Sequence, residues 1–176
     1  MDAPKGSIKW WPLCVRLREF MPVKRMVARF SFVLVCQAML PKEIFLSHSS
    51  RDQEFALQMV AALRNHGLAV WYAPFDILGA QQWHDEIGAA LERCDWFVVI
   101  LSPHSVNSTW VKRELGYALS EPRLENRIVP VRFVECEVKP LSWILPQLQI
   151  IDFTASQADG FTQLLRVWGM GFRGLS

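Results

Sequence analysis

The sequence predicts an α/β fold in which a five-stranded parallel sheet is covered by helices on both faces. From Lys42 onward, short apolar runs alternate with amphipathic stretches over roughly 130 residues, which is typical of this class. Parallel neighbours need a crossover connection, and the amphipathic stretches can supply it as helices. The predicted architecture is a flavodoxin-like three-layer sandwich with strand order 2-1-3-4-5.

The strands are expected at five apolar runs: residues 43–47, residues 68–72, residues 96–101, and the runs IVPVRF and QIIDF. The first helix starts near Asp52 and ends before Gly67, which suits a C-terminal cap.

The second helix follows the loop APFDILGAQQ. Its buried stripe is predicted to consist of Trp83, Ile87, Ala90 and Leu91. The third helix runs over about 109–119 and stops before Pro122, because a proline disfavours helical geometry in the residue ahead of it. The last helix is expected around residues 161–168.

Ligands in a sheet of this order bind beyond the carboxyl ends of the first and third strands, where the strand order reverses. In this chain those ends are residues 47–51 and 102–108.

A response regulator would carry a phosphate-accepting aspartate after the third strand, but Leu101, Ser102 and Pro103 stand there, which excludes that class. A flavin site remains an alternative, although SHSSRDQEF lacks a glycine for close approach to a phosphate. Neither GxGxxG nor GxxxxGK[ST] occurs.

The charge is distributed unevenly along the chain. Residues 1–38 hold seven of the 19 Lys and Arg and two of the 17 Asp and Glu, so residues 39–176 carry the remaining twelve and fifteen. A nucleic-acid binder gathers basic side chains on its folded domain in order to neutralise phosphates. We therefore expect no nucleic-acid partner.

Residues 1–38 are predicted to be an extension that is poorly structured or not part of the native domain, which spans residues 39–176. Residues 21–40 place a basic stretch before an apolar run of about ten residues, somewhat like a signal peptide but short for a membrane span. We expect a cytoplasmic protein without membrane contact, and a membrane-associated segment is the alternative.

The four cysteines and four histidines show no CxxC or HExxH spacing, so no disulfide framework and no metal ion are predicted.

Four stretches occur in order between Lys42 and about Trp168: IFLSHSSRD, GLAVWY, FDILG and CDWFVVILSPHSVNSTWVKREL. Together they resemble the TIR (Toll/interleukin receptor) domain family, particularly its prokaryotic members that cleave NAD. The last stretch is the most specific, because it combines a hydrophobic strand, SPxS and a tryptophan four residues before a glutamate. The family often has an acidic residue after the glycine of FDILG, whereas Gly79 is followed here by AQQ.

The resemblance implies that Glu114 is the catalytic residue of an NAD glycohydrolase. The residues it implies as substrate contacts are Ser47, His48, Ser49, Asp76 and Trp110. NAD is then the substrate, and no cofactor is expected. The resemblance also implies that the loop over residues 73–82 moves over the site and takes part in contacts between TIR domains.

Breaking the bond between nicotinamide and ribose generates positive charge on the sugar, so a fixed carboxylate is the group that helps most. Glu114 would stabilise an oxocarbenium-like state and hold the ribose hydroxyls, and covalent capture of the intermediate stays open.

Each of these residues also has a structural interpretation. Glu114 could be an exposed glutamate near a helix N-terminus, although a capping box would need Ser or Thr where Val111 stands. Trp110 could anchor the core, Ser49 could cap the first helix, and Asp76 could be an ordinary loop residue.

The sequence supports more than one class of function. The first is the NAD glycohydrolase, acting in prokaryotic immune (anti-phage) signalling and activated by self-assembly of TIR domains. The second is a non-catalytic interaction module that recruits other TIR domains. A third is a transferase that moves the sugar of a nucleoside, for which no base-recognition motif is present.

Overall fold

The computed structural model describes residues 40–73 and 80–174, with side chains from residue 84 onward in the helix that begins at Ala80. Within these residues the chain forms five strands and four α-helices, which are β1 (Ile44–Ser47), α1 (Gln53–Asn65), β2 (Val70–Tyr72), α2 (Ala80–Arg93), β3 (Trp96–Leu101), α3 (Thr109–Ser120), β4 (Ile128–Arg132), β5 (Ile151–Asp152) and α4 (Gln157–Val167). Short 3-10 turns cover Ser50–Asp52, Pro122–Leu124 and Leu145–Gln147.

The five strands form one parallel sheet in the order β2-β1-β3-β4-β5. The predicted α/β fold and the predicted strand order are therefore confirmed. Strand β1 lies between β2 and β3, and its last residue, Ser47, pairs with Val99 in the middle of β3. The strand order reverses between β1 and β3, so a cleft is expected at their carboxyl ends.

Alternate residues of the central strands point to opposite faces of the sheet and build two apolar layers. On β1, Ile44 and Leu46 belong to the layer that includes residues of α1 and α4, whereas Phe45 belongs to the layer that includes residues of α2 and α3. Phe45 stacks on Phe97 of β3 with ring centroids 5.5 Å apart. Ser47 continues this alternation, so its side chain lies on the face covered by α2 and α3.

Helix α1 ends at the predicted glycine. Gly67 has a φ of +80°, the left-handed conformation that glycine adopts without steric cost. The N–H of Leu68 then donates to the carbonyl of Leu63 at 3.1 Å, so Leu68 still belongs to the end of the helix. For this reason β2 begins at Val70, two residues later than the apolar run predicts.

Two of the other helices start earlier than the sequence predicts. Helix α2 begins at Ala80, so residues 80–82 of the predicted loop are helical. Ile87, Ala90 and Leu91 are buried on α2 as predicted, and the side chain of Trp83 lies outside the described residues. Helix α4 starts about one turn before residue 161, because Ser156 caps it by accepting a hydrogen bond from the N–H of Asp159 at 3.2 Å. None of the described helices is both long enough and apolar enough to cross a bilayer.

A chain shortened to begin at Met39 is expected to fold with a melting temperature within about 2 °C of the full chain. Every described strand and helix lies after that residue, and the described core begins at Ile44. Thermal melts of the two chains, expressed side by side, would measure the difference. A shorter chain that aggregates or melts much earlier would show that residues 1–38 contribute to folding.

Candidate active site

Helix α3 carries Glu114 on its buried face. Val111, Glu114, Leu115 and Ala118 are three and four positions apart, and all four are buried. The Glu114 side chain, in a residue only 6% exposed, is thus a carboxylate in an apolar stripe. The expectation of an exposed glutamate near the helix N-terminus is wrong, because Glu114 lies in the second turn and faces the sheet.

The end of β1 supplies a hydrogen-bond donor to this carboxylate. The Ser47 hydroxyl donates to Oε2 of Glu114 at 2.5 Å, and Ser47 is 1% exposed. A donor to an ionised carboxylate forms a charge-assisted hydrogen bond, which is shorter and stronger than a neutral one. The contact joins β1 to α3 near the carboxyl ends of β1 and β3, between which the strand order reverses.

Burial raises the pKa of Glu114 to about 7, and the hydrogen bond from Ser47 acts in the opposite direction by favouring the ionised form. The carboxyl is therefore divided between its neutral and ionised forms near pH 7. A positive charge brought close to Glu114 would shift this balance toward the carboxylate.

A second buried carboxylate lies in the turn after β1. Asp52 is 4% exposed, and its Oδ2 accepts a hydrogen bond from the Ser102 hydroxyl at 2.5 Å. Ser102 directly follows β3, and its Oγ also accepts from the N–H groups of His104 and Ser105, each at 3.1 Å. The SPxS part of the motif is thus a loop held by hydrogen bonds to Ser102. The hydrogen bond from Ser102 to Asp52 connects this loop to the turn after β1.

Trp110 lies in the first turn of α3 and is half-buried against the apolar layer that includes Phe45. The ring of His84, on α2, lies with its centroid 4.8 Å from the indole centroid. The guanidinium carbon of Arg113 lies 5.3 Å from the centroid of the same indole. The predicted packing of Trp110 is confirmed, and its contact with substrate stays a prediction.

His48 follows β1 and is half-buried, with its ring tilted against Tyr72 at a centroid distance of 6.5 Å. Burial lowers the pKa of His48, and the backbone of Leu46 and the charge of Asp52 partly oppose this shift. The imidazole is therefore neutral at pH 7, with one nitrogen protonated and the other able to accept.

Ser49 and Asp76 differ in what the structure shows of them. Ser49 is buried and caps the 3-10 turn that precedes α1, its Oγ accepting from the N–H of Arg51 at 3.4 Å. Ser49 is therefore a cap, but of this 3-10 turn and not of the first helix as predicted, because Asp52 stands at the N-cap position of α1. Asp76 lies outside the described residues.

The structure brings Ser47 and Glu114 together and adds a pair that the sequence analysis did not propose, Asp52 and Ser102. The sequence holds a signal for that pair, because Asp52 and Ser102 each lie shortly beyond the carboxyl end of one of two neighbouring parallel strands, β1 and β3, and such residues lie at the same end of the sheet. Among the described residues, no three His, Cys, Asp or Glu side chains are grouped closely enough to hold a metal ion.

Comparison with known proteins gives several relatives. The chain is 32% identical over 91 residues to the 2' cyclic ADP-D-ribose synthase BtTIR of Bacteroides thetaiotaomicron, covering 51% of this chain and 32% of that protein. It is also 32% identical over 91 residues to the probable 2' cyclic ADP-D-ribose synthase TcpB of Brucella melitensis biotype 1, covering 51% of this chain and 36% of TcpB. The aligned region thus spans about a third of each of these relatives.

Solved structures share the fold at lower identity. The TIR domain of the Toll-related receptor TRR-2 from Hydra magnipapillata superposes with a TM-score of 0.59 at 19% identity, covering 71% of this chain and 96% of that domain. The TIR domains of the activated Roq1 resistosome superpose with a TM-score of 0.56 at 17% identity, covering 70% of this chain and 97% of that chain.

The family model for the TIR domain matches residues 44–165, which is more than half of the chain. The chain therefore belongs to the TIR domain family.

Proposed function

We propose that the chain is an NAD glycohydrolase (NAD+ nucleosidase) that releases nicotinamide and forms ADP-ribose or a cyclic isomer of it. The observation that carries the proposal is the buried carboxyl of Glu114, held at the carboxyl end of β1 by Ser47. Two relatives named as 2' cyclic ADP-D-ribose synthases support NAD cleavage and favour a cyclic product. NAD is the substrate in this mechanism, and no cofactor takes part.

The proposed reaction begins with cleavage of the bond between nicotinamide and ribose. The electron pair of this bond moves to the pyridinium nitrogen, so nicotinamide leaves as a neutral molecule and positive charge develops at C1′ of the ribose. Ionised Glu114 stabilises that charge. The oxygen of water, or of a hydroxyl on the adenosine ribose, then bonds to C1′ and releases its proton to the solvent, which gives ADP-ribose or a cyclic isomer.

The burial of Glu114 supports this role. A carboxylate in a water-poor site attracts a nearby cation more strongly than one in bulk water. The pyridinium of bound NAD would itself favour the ionised form, because an opposite charge lowers the pKa of a carboxyl. Packing alone gives no reason for a carboxyl in the stripe of α3, where burial of a charge without a cationic partner is costly.

The remaining site residues are given supporting roles. The neutral ring of His48, at the end of β1, would offer a donor to the diphosphate or ribose of NAD, and Ser49 lies next to it in the same turn. The indole of Trp110, one helical turn before Glu114, would offer a flat face to a ring of the substrate. Asp76 would approach from the loop before α2.

Incubation of the purified protein with NAD tests the proposal directly. Chromatography with mass spectrometry is expected to detect nicotinamide together with either ADP-ribose or a product lighter by one water, which would be the cyclic isomer. Unchanged NAD after prolonged incubation at high protein concentration, with a known NAD-cleaving TIR domain active in the same buffer, would contradict the proposal.

We propose further that the active form is an assembly of TIR domains and that it acts in immune signalling against phage. The stretch FDILG contains apolar side chains that a head-to-tail contact with a neighbouring chain would bury, and such a contact permits rings or filaments. Activity per molecule is then expected to fall on dilution in parallel with light scattering, and Leu78→Glu is expected to lower both. Constant activity per molecule at every dilution would remove the assembly requirement.

The second candidate is a non-catalytic interaction module. Its supporting observation is Trp143, which lies between β4 and β5 and is 73% exposed, because large exposed aromatic side chains are enriched at protein interfaces. This candidate predicts no release of nicotinamide, together with self-association that Trp143→Ser weakens. Product analysis and light scattering on the same samples separate the two candidates.

A further inference from the structure

Ser47 is the residue of β1 that contacts Glu114, and its geometry differs from that of a substrate-binding residue. We propose that Ser47 is a positioning residue, which holds the Glu114 carboxyl in place for the reaction and does not itself contact NAD. This inference rests on the proposed NAD glycohydrolase activity. It gives Ser47 a role different from the substrate contact that the sequence predicts.

The backbone around Ser47 is fixed by the sheet. Strand β1 is paired on both sides, with β2 and with β3, and Ser47 itself pairs with Val99. Central strands of a parallel sheet are among the least mobile parts of a fold. The hydroxyl therefore presents a donor at a nearly constant position, to which the longer and more flexible glutamate side chain must adjust.

The hydroxyl of Ser47 has no second proton for a substrate. A serine hydroxyl carries one hydrogen, and here it is donated to Glu114 at 2.5 Å. Ser47 is only 1% exposed, so Oγ offers almost no surface to a ribose hydroxyl or a diphosphate oxygen. The contact with the reacting atoms is thus left to Glu114, whose second oxygen, Oε1, is not engaged by Ser47.

The hydrogen bond also controls how much of Glu114 is ionised. It lowers the pKa of Glu114, whereas burial raises it, and no charged side chain is among the causes of the shift. Of the ionisable groups on the surrounding elements, Asp52 bonds to Ser102, whereas His84 on α2 and Arg113 on α3 both contact Trp110. His48, which follows Ser47, has its own pKa lowered by burial. Loss of the hydrogen bond is therefore expected to leave Glu114 neutral up to a higher pH.

The experiment compares the pH dependence of NAD cleavage for the wild-type chain and for Ser47→Ala. The acid limb of kcat is expected to move to higher pH by about one unit or more, since hydrogen bonds to charged groups are worth that much. The loss of rate is therefore expected to be largest at low pH and smaller at high pH. Ser47→Cys keeps a side chain of similar volume with a weaker hydrogen-bond donor. The acid limb of its kcat is therefore expected between those of the wild-type chain and Ser47→Ala.

The chain contains a matched control. Ser102→Ala also removes a buried serine hydroxyl at the end of a central strand, and that hydroxyl also donates to a carboxylate at 2.5 Å, but the carboxylate belongs to Asp52. Whatever Ser102→Ala does to the rate, it is expected to leave the acid limb where the wild-type chain has it. An equal shift in both variants would overturn the proposal.

A second readout does not depend on NAD. The difference in thermal stability between a chain with Glu114 and the same chain with Glu114→Gln, followed from pH 5 to pH 9, reports the titration of Glu114. With Ser47→Ala as the background, this difference is expected to develop over a higher pH range than in the wild-type background. If Ser47→Ala does not fold, the same comparison is made in the Ser47→Cys background.

The two readouts separate the failure of this inference from the failure of the proposed activity. The pH dependence of the stability difference could shift in Ser47→Ala although the chain never cleaves NAD. This result would reject the glycohydrolase activity, and with it the catalytic role of the hydrogen bond, but it would still support the contact between Ser47 and Glu114. A chain that cleaves NAD, and in which Ser47→Ala raises KM while kcat and its acid limb stay those of the wild-type chain, would overturn the positioning role alone.

Discussion

Glu114→Gln is expected to cleave NAD about a hundred- to a thousandfold more slowly than the wild-type chain, a loss of roughly 3 to 4 kcal/mol of transition-state stabilisation. Glutamine has the size of glutamate and an oxygen that can still accept the hydrogen bond from Ser47. It cannot carry the negative charge that offsets the charge developing at C1′. The rate of nicotinamide release at saturating NAD measures the effect.

A matched variant controls for the change of charge. Glu92→Gln makes the same substitution on the exposed surface of α2, and its rate is expected to stay within a factor of about two of the wild-type rate, as for surface substitutions in general. Circular dichroism would establish that both variants are folded. If folded Glu114→Gln releases nicotinamide at the wild-type rate, then Glu114 is not the catalytic carboxylate.

The same variant is expected to be more stable than the wild-type chain at alkaline pH, by about 3 kcal/mol at pH 8. Burial raises the pKa of Glu114 to about 7 in the folded chain, from 4.5 in the absence of burial. The folded chain therefore holds the proton more tightly than the unfolded chain. Proton binding by Glu114 therefore favours the folded chain. This contribution to the free energy of unfolding is fully present below pH 4.5, is lost as the pH rises through 7, and is absent at higher pH. Glutamine does not titrate and avoids the loss.

Urea titrations at pH 5 and pH 8 measure this difference. The two chains are expected to have nearly equal free energies of unfolding at pH 5 and clearly different ones at pH 8. The Glu92→Gln variant is expected to follow the wild-type chain at both pH values, because that side chain is exposed. A Glu114→Gln variant that is equally or less stable at pH 8 would show that the carboxyl is well accommodated, and that its place in the core has a structural explanation.

A residue whose removal stops the reaction and stabilises the fold is typical of functional sites, where a locally unfavourable group is kept for its chemistry. The two predictions therefore test one idea from opposite sides. A catalytic carboxyl is expected to give a loss of rate with a gain in stability, whereas a structural carboxyl is expected to give a loss of both.

Much of the fold could be predicted because the apolar pattern is local. The runs of β1 and β3 and the glycine that ends α1 can be read from a few neighbouring residues each. The apolar pattern predicts too late a start for α4, because the capping role of Ser156 depends on an extended backbone before the helix, which the pattern does not show.

The candidate site was only partly predictable, because its contacts join residues that are distant in the chain. Glu114 could be singled out because the stretch that contains it resembles the TIR family, but its burial depends on how α3 packs against the sheet. Ser47 could be placed at the end of β1, whereas its use as a donor to Glu114 needs the three-dimensional arrangement. The sequence predicts Asp52 only as the start of a helix, because its partner Ser102 is 50 residues away.

The bond between Ser102 and Asp52 also has a kinetic consequence for the loop after β3. The amide hydrogens of Ser102, His104 and Ser105 are all donated to serine side chains within this loop. Amide hydrogens in a connecting loop ordinarily exchange rapidly with solvent, but these three are expected to exchange only when the hydrogen bonds of the loop break together. Because Asp52 belongs to the turn after β1, we expect opening of the loop after β3 to be coupled to opening of that turn.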